Sequence, residues 1–490
     1  MLAVLASAGL VSCTADDPPP RTQRAKVARV CDNALPGPKA PPAGAVVVQA
    51  GKDKDLTAKT KASPAGSTFW LSPGKHTLGT NEFGQVMPKD GNTYLGAPGA
   101  VLDGRNTNRY AFSGTADKIT IRHLTVRDFV SPSNEGVVNH DSGDEWVIEH
   151  NTIEDNGGAG MAAGARQRIR HNCLRDNGQY GINAYKDAGT ITGLIVEGNE
   201  ITGNNTDDWE TRKPGCGCTG GAKFWAVDGA DIRGNWVHDN RGAGLWADTN
   251  NNDFLIEGNV IEDNDGEAIF YETSYNAVIE DNVIRRNNWV TGHRFVEEGD
   301  PFPVAAVYIS ESGGEPRVPA RTDRIEIARN EFTDNWSGIT LWENADRFCN
   351  SPNNTSTGNC TLLVDDVRSC REPGITREPL LSDCRWKTQR VSIHHNRFLL
   401  DPDKVDCESL CGRMAVLSNF GTTPSWSPYH ESVVQEAITF RQNNRWHDNT
   451  YVGPWTFMPY DTNRLVESTQ WQSTPHRQDR GSTFTLRAVT

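Results

Sequence analysis

Three short strings in the middle of the chain carry side chains suited to acid–base or nucleophilic chemistry: GGAKFWAVD (220–228), GLWADTN (244–250) and AIFYETS (268–274). Each reads as a strand leaving a turn, and a strand sends alternate residues to opposite faces. With Leu245 and Ala247 inward, Trp246 and Asp248 point outward, and the same register leaves Phe270 and Glu272 outward. Asp248 and Glu272 are then equivalent positions 24 residues apart. If their strands are neighbours, the two carboxylates stand about 5 Å apart. Like charges directly opposite each other in a sheet destabilise it. Such a pair must share a proton, hold a cation, or divide the work of acid and nucleophile. Retaining glycosidases place their two carboxyl groups about 5–5.5 Å apart. The plain alternative is two solvated surface acids that rotate away from each other.

Lys223 belongs to the preceding string, with its register open by one residue. Outward, the preferred orientation, it adjoins Trp246 and Asp248; inward, it would be a rare buried lysine. Among aromatics and carboxylates it could act as a base of lowered pKa or as a substrate clamp, or simply form a salt bridge to Asp248. Glu267, in the turn before the Glu272 strand, is a fourth polar candidate. His140 falls on a corresponding strand several repeats away, roughly 20 Å by counting strands, too far to join Asp248. Trp225, Trp246, Phe270 and Tyr271 are the candidate substrate-binding aromatics, with Trp209 and Trp342 on the same face or in its loops. Flat rings of this kind stack on sugars, although core packing accounts equally well for some of them.

What must position these residues is a repeat. HNTIEDN (150–156), HNCLRDN (171–177), GNEITGN (198–204), GNWVHDN (234–240), GNVIEDN (258–264) and DNVIRRN (281–287) share one phrase. It returns more widely spaced as RNEFTDN (329–335), HNRFLLD (395–401) and DNTYVGP (448–454). Asn151, Asn172, Asn199, Asn235, Asn259 and Asn282 are separated by 21, 27, 36, 24 and 23 residues, too irregular and too strand-like for a helical or leucine-rich repeat. The pattern predicts an all-β fold, a single-stranded parallel β-helix whose coils stack about 4.8 Å apart. The recurring Asn should form a ladder at one turn. Only 36% of the residues are apolar, which suits a thin core fed by one or two residues per strand.

These phrases resemble the right-handed parallel β-helix repeats of the pectate-lyase-like superfamily over roughly residues 45 to 455. GGAKFW, LWAD and IFYE are similar to strings found in bacterial β-helix proteins. The resemblance implies that the strand after the Asn strand and its Gly turn lines an active-site groove. In this chain those strands are GVVNHDS (136–142), GMAAGAR (160–166), GINAYKD (181–187), GLWADTN and AIFYETS. The polygalacturonase set of NTD, paired Asp and GHG is not complete in the sequence, which has no GHG, and there is no clear pectate-lyase Arg motif.

Residues 2–12, LAVLASAGLVS, form a short apolar run before Cys13, although no Lys or Arg precedes it. The run reads as a signal peptide over 1–12, and LVSC resembles the bacterial lipoprotein signal, which would leave a lipidated Cys13. An ordinary cleaved signal is the alternative. Residues 13–44 then form a Pro-rich tether, 45–118 an N-terminal cap and first coils, 119–455 the parallel β-helix, and 456–490 a C-terminal cap or tail. The expected location is extracellular or on the cell surface, the only membrane contact being the lipid, and the chain is expected to be a monomer. Setting Cys13 aside leaves ten of the 11 cysteines, an even number that suits disulfides in an oxidising compartment. Cys349 and Cys360, Cys370 and Cys384, and Cys407 and Cys411 lie close in sequence. Cys216 and Cys218 read as disulfide partners with Cys31 and Cys173 as candidate mates, the connectivity staying open. An insertion at 345–388, beginning just after SGITLWEN (337–344), is expected to fold over one end of the groove.

The net charge of −14 opposes nucleic acid as a partner. The expected partner is a polysaccharide. The first reading is a glycoside hydrolase using Asp248 and Glu272, with no cofactor required. The second is a lyase in which Lys223 is the base and Asp248, Glu272 and Glu267 hold Ca²⁺. The third is a glycan-binding solenoid without turnover.

Overall fold

The computed structural model describes residues 27, 29–33, 36–213, 220–352, 360–417, 425–429, 437 and 441–486. The leader at 1–12, Cys13, Cys216 and Cys218 lie outside the described residues. Among the described residues the chain winds through three parallel sheets, the first coils using two of them and the later coils, from Gly136 on, all three. The first has 13 strands, from Val46–Val48 to Arg445–His447; the second has 13, from Gly74–Thr77 to Thr483–Thr485; the third has ten, from Gly136–Val138 to Thr456–Tyr460. The alternating apolar residues of the repeat are what the interior needs. Ile148, Ile169, Val196, Ile232, Ile256, Ile279, Ile327 and Ile393 occupy one register column of the first sheet, and each is buried. A strand of three residues thus contributes a single core side chain, which is how a chain so poor in apolar residues fills its interior.

The Asn residues form two ladders. Asn151, Asn172, Asn199, Asn235, Asn259, Asn282, Asn330, Asn396 and Asn449 are joined amide to amide at 2.9–3.2 Å. A second column runs Asn156, Asn177, Asn204, Asn240, Asn264, Asn287 and Asn335, at 2.9–3.0 Å. Asn235 shows the reason for the residue type: its Nδ2 donates to Val196 O and Asn259 Oδ1, while its Oδ1 accepts from the backbone and the amide of Asn199. A buried turn keeps every polar group paired only with a side chain that donates and accepts together.

Strands of the first two sheets begin at Val46 and Gly74, within the stretch expected to hold the cap and first coils, and on the other side Thr456–Tyr460 and Thr483–Thr485 carry the sheets past residue 455. A helix, Asp55–Ala62, lies against the first strands with Leu56 and Thr60 buried, covering the end of the solenoid. Part of the expected tether is bound to the body: Cys31 is disulfide-bonded to Cys173, and the Val30 and Cys31 N–H groups donate to Glu200. This corrects the expectation that Cys31 and Cys173 pair with Cys216 and Cys218. Among the described residues the other disulfides are Cys349–Cys360, Cys370–Cys384 and Cys407–Cys411. Among the described residues no helix is long and apolar enough to cross a membrane.

Candidate functional site

The third sheet positions the site. Strands Gly220–Phe224, Ala243–Ala247, Ile269–Glu272 and Val307–Ser310 are consecutive neighbours, with Lys223, Trp246, Phe270 and Tyr308 in one outward column. The inward neighbours Ala222, Leu245, Ile269 and Val307 sit in the core. Asp248 follows the Ala247–Tyr271 pair and therefore stands beside Glu272, with Ser310 next along. Both carboxylates lie at the edge where the chain turns into the first sheet, and both are buried, at 6% and 7% exposure.

Donors converge on each carboxylate. Lys223 points outward and its Nζ is 3.0 Å from Asp248 Oδ2, while the Thr249 N–H and hydroxyl donate to Asp248 Oδ1 at 2.7 and 3.0 Å. The Trp246 indole N–H donates to Glu272 Oε2 at 2.9 Å. Arg347 forms an ion pair with the other oxygen of Glu272 and reaches Glu311 Oε2 at 3.5 Å. Glu311 is fully buried; the Ser310 hydroxyl donates to it, as does the Asn344 N–H at 3.2 Å. Burial raises the Glu272 carboxyl above its ordinary range; Arg347 opposes that rise and the Asp248 charge adds to it. Burial likewise pushes Glu311 up to about 7, against Arg347. Burial works against the Arg347 charge, yet Glu272 and Glu311 more than overcome it and raise its pKa.

Several expected binding residues have other tasks. Tyr271 is fully buried in the core and its hydroxyl donates to Tyr275 O at 2.6 Å; the alternation that turns Phe270 and Glu272 outward turns it inward. Trp246 and Phe270 do not offer ring faces to a sugar. Equivalent side chains on successive coils stack on one another, so Trp246 lies against Phe270 at 5.3 Å, and Phe270 lies against Tyr308 at 4.7 Å. The Lys223 ammonium, 3.8 Å from the Trp246 ring centroid, takes the other face of that ring. Trp246 instead orients Glu272. Trp225, half-buried, and Tyr185, 43% exposed, hold the register position of Asp248 on the two preceding coils. Tyr185 was legible in GINAYKD by the same alignment that singled out Asp248. Trp209 lies in a short helix, Trp209–Arg212, before the Lys223 strand.

Glu267 lies two residues before the strand Ile269–Glu272, at the end away from Glu272 and roughly 17 Å from it along the chain. It therefore does not join Asp248 and Glu272 in one coordination sphere, and those two have Lys, Trp, Thr and Arg donors where a Ca²⁺ would sit. The set does not fit the cation that the lyase reading requires.

The 345–388 excursion lands beside the carboxylates. Besides Arg347, the Asn250 amide donates to Cys360 O at 2.8 Å, and Trp386 Nε1 donates to Asn250 Oδ1 at 3.1 Å. Neither Arg347 nor Glu311 was singled out in the sequence. Glu311 lies just past the strand Val307–Ser310 of the same sheet; extending the alignment one coil reaches Ser310, the residue before it.

The sequence pattern of the right-handed β-helix region matches residues 105–224 and 135–360, together more than half of the chain. Among solved structures, the A-module of a mannuronan C-5 epimerase from Azotobacter vinelandii aligns at 12% identity and a TM-score of 0.41, covering 70% of this chain and 88% of that one. The catalytic unit of a thermostable GH87 α-1,3-glucanase from Streptomyces thermodiastaticus aligns at 13% identity and 0.44, covering 86% and 68%. A periplasmic alginate epimerase mutant aligns at 12% and 0.38, covering 76% and 80%. No curated protein sequence matches the chain.

Proposed function

The chain belongs to the right-handed β-helix family, and on that scaffold we propose that it is a glycoside hydrolase that cleaves a neutral polysaccharide through Asp248 and Glu272. The fold itself does not select a reaction; the residues on the coils do. One observation carries the reading: two buried carboxylates at equivalent positions of adjacent coils, about 5 Å apart by strand spacing, in unlike surroundings. Glu272, whose pKa is raised by burial, is suited to hold a proton and pass it to the leaving glycosidic oxygen. Asp248, fixed by Lys223 and Thr249, is placed to attack the anomeric carbon. The C–O bond breaks as the proton reaches oxygen and the Asp248 ester forms. A water, deprotonated by Glu272, then releases the sugar and restores both groups.

The charge balance supports a neutral sugar. Lys223 and Arg347, the cations paired with the site carboxylates among the described residues, are both committed to Asp248, Glu272 and Glu311, so neither is free to hold a uronate carboxylate. The same pairing and the position of Glu267 weigh against the Ca²⁺-dependent lyase. Incubation with a library of neutral and uronic polysaccharides tests this. New reducing ends are expected from a neutral glycan, insensitive to chelator and without the ultraviolet absorbance of an unsaturated product. Unsaturated products, or binding with no cleavage of any glycan, would contradict the hydrolase.

A further inference from the structure

Along the register column that contains the carboxylates, accessibility falls from Tyr185 to Ser310. Tyr185 is 43% exposed and Trp225 half-buried; Asp248 and Glu272 are buried; Ser310, with Glu311 beside it, is fully enclosed, and Trp342, next in the column, is half-buried with Phe302 edge-on to it at 6.5 Å. The closure has two sources, one from each edge of the third sheet. From one side, the excursion that follows helix Trp289–Glu298 brings Phe302 edge-on to Tyr308 at 5.5 Å, and Pro303 O accepts from the Thr340 hydroxyl at 2.9 Å. Thr340 is the next outward position after Tyr308, so this segment lies over the first and second coils beyond Phe270. From the other side, Arg347 spans Glu272 and Glu311. Two unrelated segments therefore cover the sheet around and past the carboxylates, while the coils before them carry the more exposed Tyr185 and Trp225.

We propose that the cleft is blind: a polysaccharide chain end enters over Tyr185 and Trp225, stops against Arg347, and is cleaved from that end rather than internally. This rests on the hydrolase reading and adds the mode of action. Three coil steps separate Tyr185 from Glu272, about 15 Å, so the open side accommodates only a few sugar units. Tyr185 and Trp225 are the rings placed to stack on them, since the faces of Trp246 and Phe270 are occupied.

The test follows chain length and products together on end-labelled neutral glucans, xylan and mannan and their oligosaccharides. The expected result is a short product of fixed size from the earliest turnovers while the mean polymer length falls slowly. Tyr185→Ala should raise KM for longer oligosaccharides about tenfold with kcat unchanged and leave the shortest substrate unaffected. A rapid fall in polymer length with products of mixed size, from an active enzyme, would overturn the blind cleft and leave the hydrolase standing. Unchanged KM for long substrates in both Tyr185→Ala and Trp225→Ala would likewise overturn the path. An inactive wild-type protein would overturn the hydrolase reading and this inference with it.

Discussion

Asp248→Asn and Glu272→Gln are each expected to lower hydrolysis of the natural glycan by a factor of about 10²–10⁴ while leaving the fold intact. The amides are nearly isosteric and keep part of the donor network: Trp246 still donates to residue 272, and Thr249 to residue 248. The two variants should differ in how they fail. A substrate with a good leaving group needs no proton, so an aryl glycoside should restore turnover to Glu272→Gln and not to Asp248→Asn. A small anion such as azide should rescue an Asp248→Gly variant by taking the place of the missing nucleophile. Rates on the aryl glycoside and the polymer, with circular dichroism as the check on folding, decide the matter. Full activity in both amides would remove the assignment.

Arg347→Ala is expected to destabilise the protein by about 3 kcal/mol near pH 8, because it strands buried carboxylates that Arg347 now compensates. The cost should depend on pH with a definite sign. Glu311 has its pKa raised from the ordinary 4.5 to about 7, so between those values the native state keeps a proton that the unfolded chain has released. Stability therefore falls as pH rises through that window and levels off above it. Without Arg347 the opposing charge is gone, the carboxyls bind their protons more tightly, and the decline should continue to higher pH. Near pH 4, where both glutamates are protonated in either state, the variant and the wild type should nearly coincide. Urea midpoints at acid, neutral and alkaline pH measure this; an equal loss at all three would mean that Arg347 contributes packing and not charge.

The architecture was legible because a solenoid writes its geometry locally. Every coil repeats the same requirement, an inward aliphatic residue and a self-complementary amide at the turn, so Ile232 and Asn235 announce their roles several times over. The carboxylate pair and Lys223 were legible for the same reason, since the register that buries Leu245 fixes Asp248 and Glu272 on the outside. What the sequence conceals is whatever depends on a neighbour in the stack or on where an excursion lands. Trp246 and Phe270 are outward in sequence terms, but the coil on each side supplies a ring or an ammonium that takes their faces. Tyr271, one residue further, shows that a cluster of aromatics in a strand must be divided between two faces before any is assigned to a ligand. Arg347 lies 75 residues beyond Glu272, in a segment without periodicity, and its arrival there is a matter of tertiary packing. Phe302 and the loop that carries it are hidden for the same reason.

The stereochemistry of the first-formed product tests the central claim most directly. Two carboxylates on adjacent coils leave no room for a water on the far side of the sugar, so Asp248 must attack the anomeric carbon itself. Proton NMR of a hydrolysis followed from its first minutes is expected to show the anomer of the substrate appearing first and mutarotating afterwards. Initial appearance of the opposite anomer would contradict the account, because it would place the working carboxylates farther apart than Asp248 and Glu272 stand.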